Sequence, residues 1–204
     1  PGSINIHYEH FIQYTLDICK SLAYHGFKKM ILINGHGSNH NLVDMVARRV
    51  LVETDASCVF CSWWQLLQVN PGFDQQWRES VYPGGCSHAC ELETSMLLHL
   101  APQHVRQDRI KSELAKTNKL GSKFIWGDLF GKGAMGLIEW TSQYSDTGVI
   151  GEAEKATAEK GRIVFEEASA NLAQFIGEYH TQKIEPRQRH QAQAPTFPLS
   201  FPTD

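Results

Sequence analysis

The side chains best suited to chemistry in this sequence are imidazoles and carboxylates in two short segments. His36 lies between two glycines in residues 34–41, which contain only small, polar or imidazole side chains. His88, Glu91 and Glu93 lie close together in the second segment. A mixed set of imidazole and carboxylate donors suits zinc or manganese used as a Lewis acid with positions left open to water. The residue types therefore favour a divalent-metal site.

A short apolar run precedes the first segment. Residues 30–33 are Met, Ile, Leu and Ile, which is typical of a fully buried strand in a parallel sheet. Ligands of open α/β sheets bind beyond the carboxyl ends of strands, where residues 34–41 would lie. Gly35 and Gly37 free the backbone for tight or left-handed turns and leave His36 uncrowded, which suits metal binding or proton transfer. An ordinary βα loop rich in turn-forming residues stays open as the alternative.

The second segment leads into an apolar run that ends at Pro102. If a helix has begun by residue 88, His88 and Glu91 lie three apart and meet on one face. Glu93 cannot share the face of Glu91, so one carboxylate would point at the site while the other makes structural hydrogen bonds. Nucleophilic catalysis is less favoured, because a cysteine two residues from a histidine, as Cys90 is from His88, is a weak signal.

The cysteines allow a second kind of metal site. Cys58 and Cys61, with Cys86 and Cys90, could form a structural zinc site. Cys58 and Cys61 lie in an apolar strand, however, where a spacing of three points side chains to opposite faces. Buried structural cysteines are therefore favoured. The odd total of five cysteines indicates a reducing compartment, so a cytoplasmic protein is expected.

The elements that must position these side chains alternate between helix and strand. Apolar residues recur at spacings of three and four in residues 7–25 and 42–51, which predicts two amphipathic helices. Residues 56–63 predict a second strand, and this order is typical of a parallel sheet with crossover helices. Trp63 and Trp64 follow that strand and are candidate walls of a substrate pocket, although one core and one lid position is an equal alternative.

The chain beyond these tryptophans is less regular. Residues 65–87 are polar and interrupted by proline and glycine, as is common in lids and binding segments. Residues 108–144 are glycine-rich and predict irregular structure with short strands. A long helix is predicted from Glu152 to about Tyr179. Residues 182–204 have few apolar side chains and predict a disordered tail, which leaves residues 1–181 as one domain.

Length and charge exclude several classes of function. The chain has 204 residues and a net charge of −3, which fits one ordinary domain. No long basic stretch occurs, so nucleic acid is not an expected partner. No apolar run approaches the roughly 20 residues that span a bilayer, so a membrane is not an expected partner either. The chain begins at Pro1 without a methionine, which suggests that it derives from a longer polypeptide.

Five segments resemble those of the creatininase (creatinine amidohydrolase) family. Residues 34–39 resemble its NGHGGN signature, and residues 88–95 resemble its HAGExETS segment. Residues 1–3, 23–27 and 148–161 resemble its PGT, HGF and GVIG segments in the same order. Five matches in the right order make the resemblance fairly specific.

The resemblance implies an α/β fold with three α/β/α layers and a largely parallel sheet, here with the N-terminal strands missing. It implies a metal-dependent amidohydrolase that hydrolyses the C–N bond of a cyclic amide or related small molecule. Metal-bound hydroxide would attack the ring carbonyl, and a nearby acid would protonate the leaving nitrogen. Zinc is the expected metal, with manganese and iron as alternatives. It also implies a homo-oligomer, typically a hexamer.

The same resemblance assigns roles to single residues. His36 and Glu91 are the expected metal ligands. His88 is the expected catalytic residue, which orients the substrate or shuttles protons. Glu93 is interpreted as structural.

The expected substrate-binding residues are Gly37, Ser38, Trp63 and Trp64. Creatininases carry a tyrosine and a glutamate at the positions of Gly37 and Ser38, so creatinine itself is not the expected substrate. In the family, further ligands from an EQHG-type segment and a later aspartate precede the PGT segment, with which this chain begins. The alternative function is therefore a truncated, non-catalytic chain that acts only as a structural or oligomerising subunit.

Overall fold

The computed structural model describes residues 4–116 and 121–185. The expectations for residues 1–3 and for most of the predicted tail lie outside these ranges. The chain divides into two compact units, which are Pro1–Ser62 with Phe175–Asp204, and Trp63–Gln174.

The first unit begins with the predicted alternation of helix and strand. Its elements are α1 (Tyr8–Tyr24), β1 (Lys29–Asn34), α2 (His40–Glu53) and β2 (Ser57–Ser62). The two strands pair in parallel, and Asn34 lies opposite Ser62 in the register. The carboxyl ends of both strands therefore lie side by side, as a parallel sheet requires.

The core of the first unit is built from one stripe of each helix. Leu16 and Cys19 of α1 are buried and three residues apart, and Val46 and Val50 of α2 are buried and four apart. These spacings are those of an amphipathic helix, so both helix predictions are confirmed. Gly26, with a φ of 93°, follows α1 in the left-handed conformation that commonly ends a helix.

β1 is less buried than its apolar composition predicted. Met30 and Asn34 are buried, whereas Ile33 is 42% exposed. Among the described strands, β1 pairs with β2 alone. The prediction of a fully buried strand was wrong here, because a pair of strands cannot bury both of its faces as the interior of a larger sheet does.

The second unit has short strands that pair antiparallel. Its elements are β3 (Cys86–His88), α3 (Glu91–Leu100), β4 (Gly127–Asp128), β5 (Gly131–Lys132), α4 (Thr141–Tyr144) and β6 (Ile150–Gly151). β3 pairs with β6, and β4 pairs with β5. The irregular region with short strands is confirmed, as is a short helix that ends before Pro102.

The polar segment between β2 and β3 contributes to the core of the second unit. Its apolar residues Leu67, Phe73 and Trp77 are buried. Arg78 forms a bidentate pair with Asp128, with distances of 3.0 and 2.7 Å, and both side chains are almost inaccessible to solvent. A few buried anchors therefore fix a segment whose composition is typical of a lid.

The long helix α5 (Ala158–Thr181) begins later than the predicted start at Glu152. Thr157 caps the N-terminus of the helix, because its Oγ1 accepts the backbone N–H of Lys160 at 3.1 Å. Residues of α5 up to Gln174 belong to the second unit, and the rest belong to the first. In the part of the chain that the structure describes, no helix combines the length and the apolar character needed to cross a membrane.

Candidate functional site

The loop after β1 is anchored by the side chain of Asn34. Its Nδ2 donates to the carbonyl oxygen of His36 at 2.7 Å and to Oγ of Ser62 at 2.8 Å. Its Oδ1 accepts the backbone N–H of His36 at 3.2 Å. Because Asn34 and Ser62 end the two paired strands, the strand ends together hold the backbone of His36 in place.

The imidazole ring of His36 is exposed and makes no hydrogen bond to any other described residue. A Cβ at Gly35 or Gly37 would meet nothing within 4 Å, so the predicted uncrowded surroundings are confirmed. Neither glycine has a positive φ, so of the two kinds of turn expected the loop forms the tight one, a 3₁₀ turn over Gly37–Asn39. The anchored backbone and uncommitted ring make His36 available as a ligand or a proton acceptor.

Sequence reasoning missed the side chains that support this loop. Asn34 and Ser62 are buried, and Nδ1 of His40 lies 2.8 Å from Oγ of Ser62. The ring of His40 also contacts Phe60, with ring centroids 5.5 Å apart. The signal that was available is the polar residue that ends each apolar strand.

His88 ends β3 and does not belong to the following helix. Ala89, with a φ of 46°, turns the chain between β3 and α3. Because α3 begins at Glu91, His88 and Glu91 do not share a helix face, contrary to one interpretation of their spacing. Nδ1 of His88 instead lies 4.0 Å from Oε2 of Glu93.

Glu93 combines a structural contact with a place in a cleft. Its Oε2 accepts the backbone N–H of Ala89 at 2.6 Å, which stabilises the turn before α3. With His88 it lines a cleft of about 460 Å³. The structural interpretation of Glu93 is therefore confirmed but incomplete, since its carboxylate also faces the cleft next to an imidazole.

Glu91 lies on the buried side of the same helix. It is fully inaccessible to solvent. Its carboxylate accepts the backbone N–H groups of Glu79 at 3.1 Å and Ser80 at 2.8 Å, and the Nζ of Lys160 at 2.5 Å. Its expected role as a metal ligand stays a prediction. A metal bound there would have to displace at least one of these donors.

Lys160 compensates the buried charge of Glu91. Its Nζ lies 2.8 Å from Oε1 of Glu79 and also donates to the carbonyl oxygen of Lys155 at 2.8 Å. Burial alone would lower the pKa of Lys160, but the carboxylates of Glu79 and Glu91 raise that pKa above its ordinary value. The ammonium group is therefore charged at neutral pH, and the ion pair is satisfied on both sides.

The expected substrate-binding residues lie in different surroundings. Trp64 is 6% exposed and belongs to the core of the second unit, which is the core position left open by the sequence. Trp63 is half-buried and packs edge-on against Trp64, with centroids 6.1 Å apart. Gly37 and Ser38 are exposed in a short 3₁₀ turn of the first unit. Their roles in substrate binding stay predictions.

The described residues do not by themselves supply a full set of metal ligands. In residues 4–116 and 121–185, no group of three or more histidine, cysteine, aspartate or glutamate side chains comes together around a common point. Cys86 and Cys90 are buried with their Sγ atoms 3.2 Å apart. The hydrogen bond with Cys90 and burial both raise the pKa of the Cys86 thiol, which disfavours the thiolate that binds metals.

Comparison with known proteins identifies the family. The model of the creatinine amidohydrolase family, Creatininase, matches residues 1–176. The chain belongs to the creatininase family.

Two curated relatives are named as hydrolytic enzymes. The mycofactocin precursor peptide peptidase of Mycobacterium tuberculosis is 30% identical over 164 residues, which cover 80% of this chain and 53% of that protein. The 3-dehydro-scyllo-inosose hydrolase of Thermotoga maritima is 25% identical over 174 residues, which cover 79% of this chain and 54% of that protein. This creatininase-family chain therefore spans about half the length of the curated relatives it matches.

A solved structure confirms the α/β fold class. The structure named creatininase Mn is 25% identical and superposes with a TM-score of 0.68, over 89% of this chain and 68% of its own. The fold predicted from the sequence motifs is thus that of the creatininases.

Proposed function

We propose that this chain is part of a metal-dependent hydrolase that cleaves amide C–N bonds. The observation that carries the proposal is the pair His88 and Glu93, with 4.0 Å between Nδ1 and Oε2, at the wall of an open cleft. An imidazole beside a carboxylate suits the transfer of a proton to the leaving nitrogen of an amide. His88 is the proposed catalytic residue, and Glu93 is proposed to orient its ring.

His36 is the proposed metal ligand of the first unit. Its ring is uncommitted among the described residues, and its backbone is held by Asn34. Zinc is the proposed metal, because imidazole suits it. Imidazole also suits iron, and a mixture of imidazole and carboxylate ligands suits manganese. Glu91 is the proposed carboxylate ligand, and binding a metal would displace at least one of its present donors. Further ligands are required.

The proposed substrate is a cyclic amide or related small molecule. A peptide bond is the second candidate, because a relative at 30% identity is named as a peptide peptidase. Gly37, Ser38 and Trp63 are proposed to contact the substrate, and Trp64 to support Trp63. A cytoplasmic homo-oligomer, a hexamer by family resemblance, is proposed as the working form.

Metal content is the first test of this proposal. Elemental analysis of the purified protein is expected to find zinc, manganese or iron near one equivalent or more per chain, and the content is expected to fall in His36→Ala. His10→Ala is the matched control, since it removes an exposed histidine from α1. Equal metal in all three proteins would contradict the role of His36. No metal in any of them would contradict the claim that this chain binds the metal by itself.

Hydrolysis is the second test. A panel of lactams, formamides and short peptides is expected to contain a substrate, and His88→Ala is expected to lower kcat by about 10²-fold or more, as loss of a general acid–base group does. The control is again His10→Ala, with wild-type activity. A metal-loaded protein that hydrolyses no member of the panel would favour the alternative, a non-catalytic structural or oligomerising chain.

A further inference from the structure

The cleft beside His88 and Glu93 carries a cluster of positive charge. Arg106, Arg109 and Lys111 line it, on the segment that follows α3. Arg106 and Arg109 are joined by a short 3₁₀ turn. The backbone N–H of Arg109 donates to the carbonyl oxygen of Arg106 at 2.9 Å. The other walls are largely apolar, formed by Leu97, Val105, Ile110 and Val149.

These three cations lack the partners that most other cations of the chain possess. Most lysines and arginines in the described ranges form ion pairs. Lys29 donates to three carbonyl oxygens, and Lys123 lies over the ring of Phe124. The described cations with neither kind of contact are Arg106, Arg109, Lys111 and Lys132. Three of these exceptions therefore line one cleft.

The acidic side chains nearby do not neutralise this cluster. Asp108 lies between the two arginines in sequence, yet within the described residues it forms an ion pair with neither. Glu93 is the carboxylate that lines the cleft, and it is engaged with Ala89 and His88. Three positive charges thus face one negative charge. A concave surface with apolar walls concentrates that field and attracts anions.

We infer that this cleft binds the carboxylate group of an amide substrate. The planar fork of an arginine matches a carboxylate in two parallel hydrogen bonds, and two arginines with a lysine supply more donors than one carboxylate needs. A volume of about 460 Å³ admits a small molecule or the end of a short peptide. The inference rests on the proposed function only for the position of the scissile amide beside His88.

A matched pair of probes separates the carboxylate from the rest of a ligand. N-acetyl-alanyl-alanine carries a free carboxylate, and its C-terminal amide is otherwise identical. Both are titrated into the full chain at low ionic strength, with binding followed by chemical-shift changes in NMR spectra. We expect the free acid to bind at least about fivefold more tightly, and this preference to shrink as salt is added, because exposed charges are screened.

The deciding variant replaces Arg106, Arg109 and Lys111 by glutamine together. The preference for the free acid is expected to vanish or nearly so, since each exposed charge contact adds a factor of up to about five. A second triple variant, Lys28→Gln, Arg48→Gln and Lys183→Gln, removes the same charge from the surface elsewhere and is expected to keep the preference. Urea unfolding of both variants checks that the fold is retained.

Glu93→Gln is an independent test, because it is expected to change the affinity for the free acid in the opposite direction. It removes the negative charge that opposes an anion in the cleft, so it is expected to tighten binding of the free acid about twofold to fivefold. Equal binding of acid and amide, or a preference that survives the cleft triple variant, would overturn the inference. Inorganic phosphate is titrated in parallel, and tighter binding of phosphate than of the free acid would overturn the carboxylate assignment. Binding of the probes does not require their hydrolysis, so a negative result with the whole hydrolysis panel would contradict the proposed function alone.

Discussion

Glu91 and Glu93 begin the same helix, α3, but one faces the core of the second unit and the other faces the cleft. Residues two apart on a helix point about 200° apart, so neighbouring carboxylates are directed to opposite environments. Glu91 is fully buried and receives two backbone N–H groups and an ammonium group. Glu93 receives one backbone N–H group and keeps 31% of its side chain exposed. The comparison teaches that a carboxylate's partners, and not its place in a motif, indicate its role.

The largest change in stability is expected when the buried charge of Glu91 is removed. Glu91→Gln leaves the ammonium of Lys160 with less compensation in a buried site, so the free energy of unfolding is expected to fall by about 3 kcal/mol. Glu93→Gln is the matched control and is expected to change the free energy of unfolding by less than about 1 kcal/mol. Urea unfolding of the metal-free proteins measures both.

The opposite ranking would break the comparison. Suppose that Glu91→Gln left the metal-free protein as stable as the metal-free wild type, but that the variant as purified contained less metal than the wild type. Glu91 would then be a ligand, as the family resemblance implies. If Glu93→Gln were the more destabilising change, the cleft side of α3 would be the structural one. Measuring stability and metal content on the same variants separates these cases.

The first unit could be predicted almost completely from periodicity. The stripe of Leu16 and Cys19, and that of Val46 and Val50, follow from helical spacing alone. The strand β1 was placed correctly but its burial was not, because burial depends on neighbouring strands that its own sequence does not specify.

The second unit could be predicted only in part, because distant carboxylates hold it together. Glu91 binds the backbone at residues 79–80, and Asp128 binds Arg78. Such contacts span long separations in sequence and leave no periodic signal. The roles that the motif resemblance assigns to His88 and Glu91 stay predictions. A motif does not indicate where side chains point, so the place of Glu93 in the cleft could not be predicted.

A slightly smaller effect is expected from the packing of α3 against α5. A Cβ at Gly161 would overlap the carbonyl oxygen of Ser95 and approach Cβ of His99 to 2.8 Å. Gly161→Ala is therefore expected to lower the free energy of unfolding by about 2 kcal/mol, in the range of overpacked sites. Gly177, also in α5, has nothing within 4 Å of an added Cβ.

Gly177→Ala is accordingly the matched control in the same helix. It is expected to raise the free energy of unfolding by about 0.5 kcal/mol, because alanine loses less backbone entropy than glycine in a helix. Thermal or urea unfolding measures both changes in the free energy of unfolding, which are expected to have opposite signs, and needs no activity assay. Stabilisation by both substitutions would show that the buried side of α3 has room to adjust, and would weaken the contrast with its cleft side.

The smallest expected effect concerns Glu113, a carboxylate that accepts from more donors than Glu91 does and lies closer to solvent. Glu113 accepts hydrogen bonds from the hydroxyl groups of Ser145 and Thr147 and from the N–H groups of Asp146 and Thr147. These bonds, first among them that of the Thr147 hydroxyl, lower the pKa of Glu113 from 4.5 to about 2. Since the pKa is lower in the folded state, the stabilisation is present above pH 4.5 and is lost as the pH falls from 4.5 to about 2.

Glu113→Gln tests this window. The variant is expected to be less stable than the wild type at pH 7, with a difference that shrinks through pH 4.5 and closes near pH 2, as measured by urea midpoints across that range. A difference that stayed constant with pH would show that the carboxylate charge is not what the four donors stabilise. At neutral pH the loss is expected to be smaller than that of Glu91→Gln. Water can replace the donors of an exposed carboxylate, whereas the ammonium of Lys160 has no comparable replacement for the charge of Glu91.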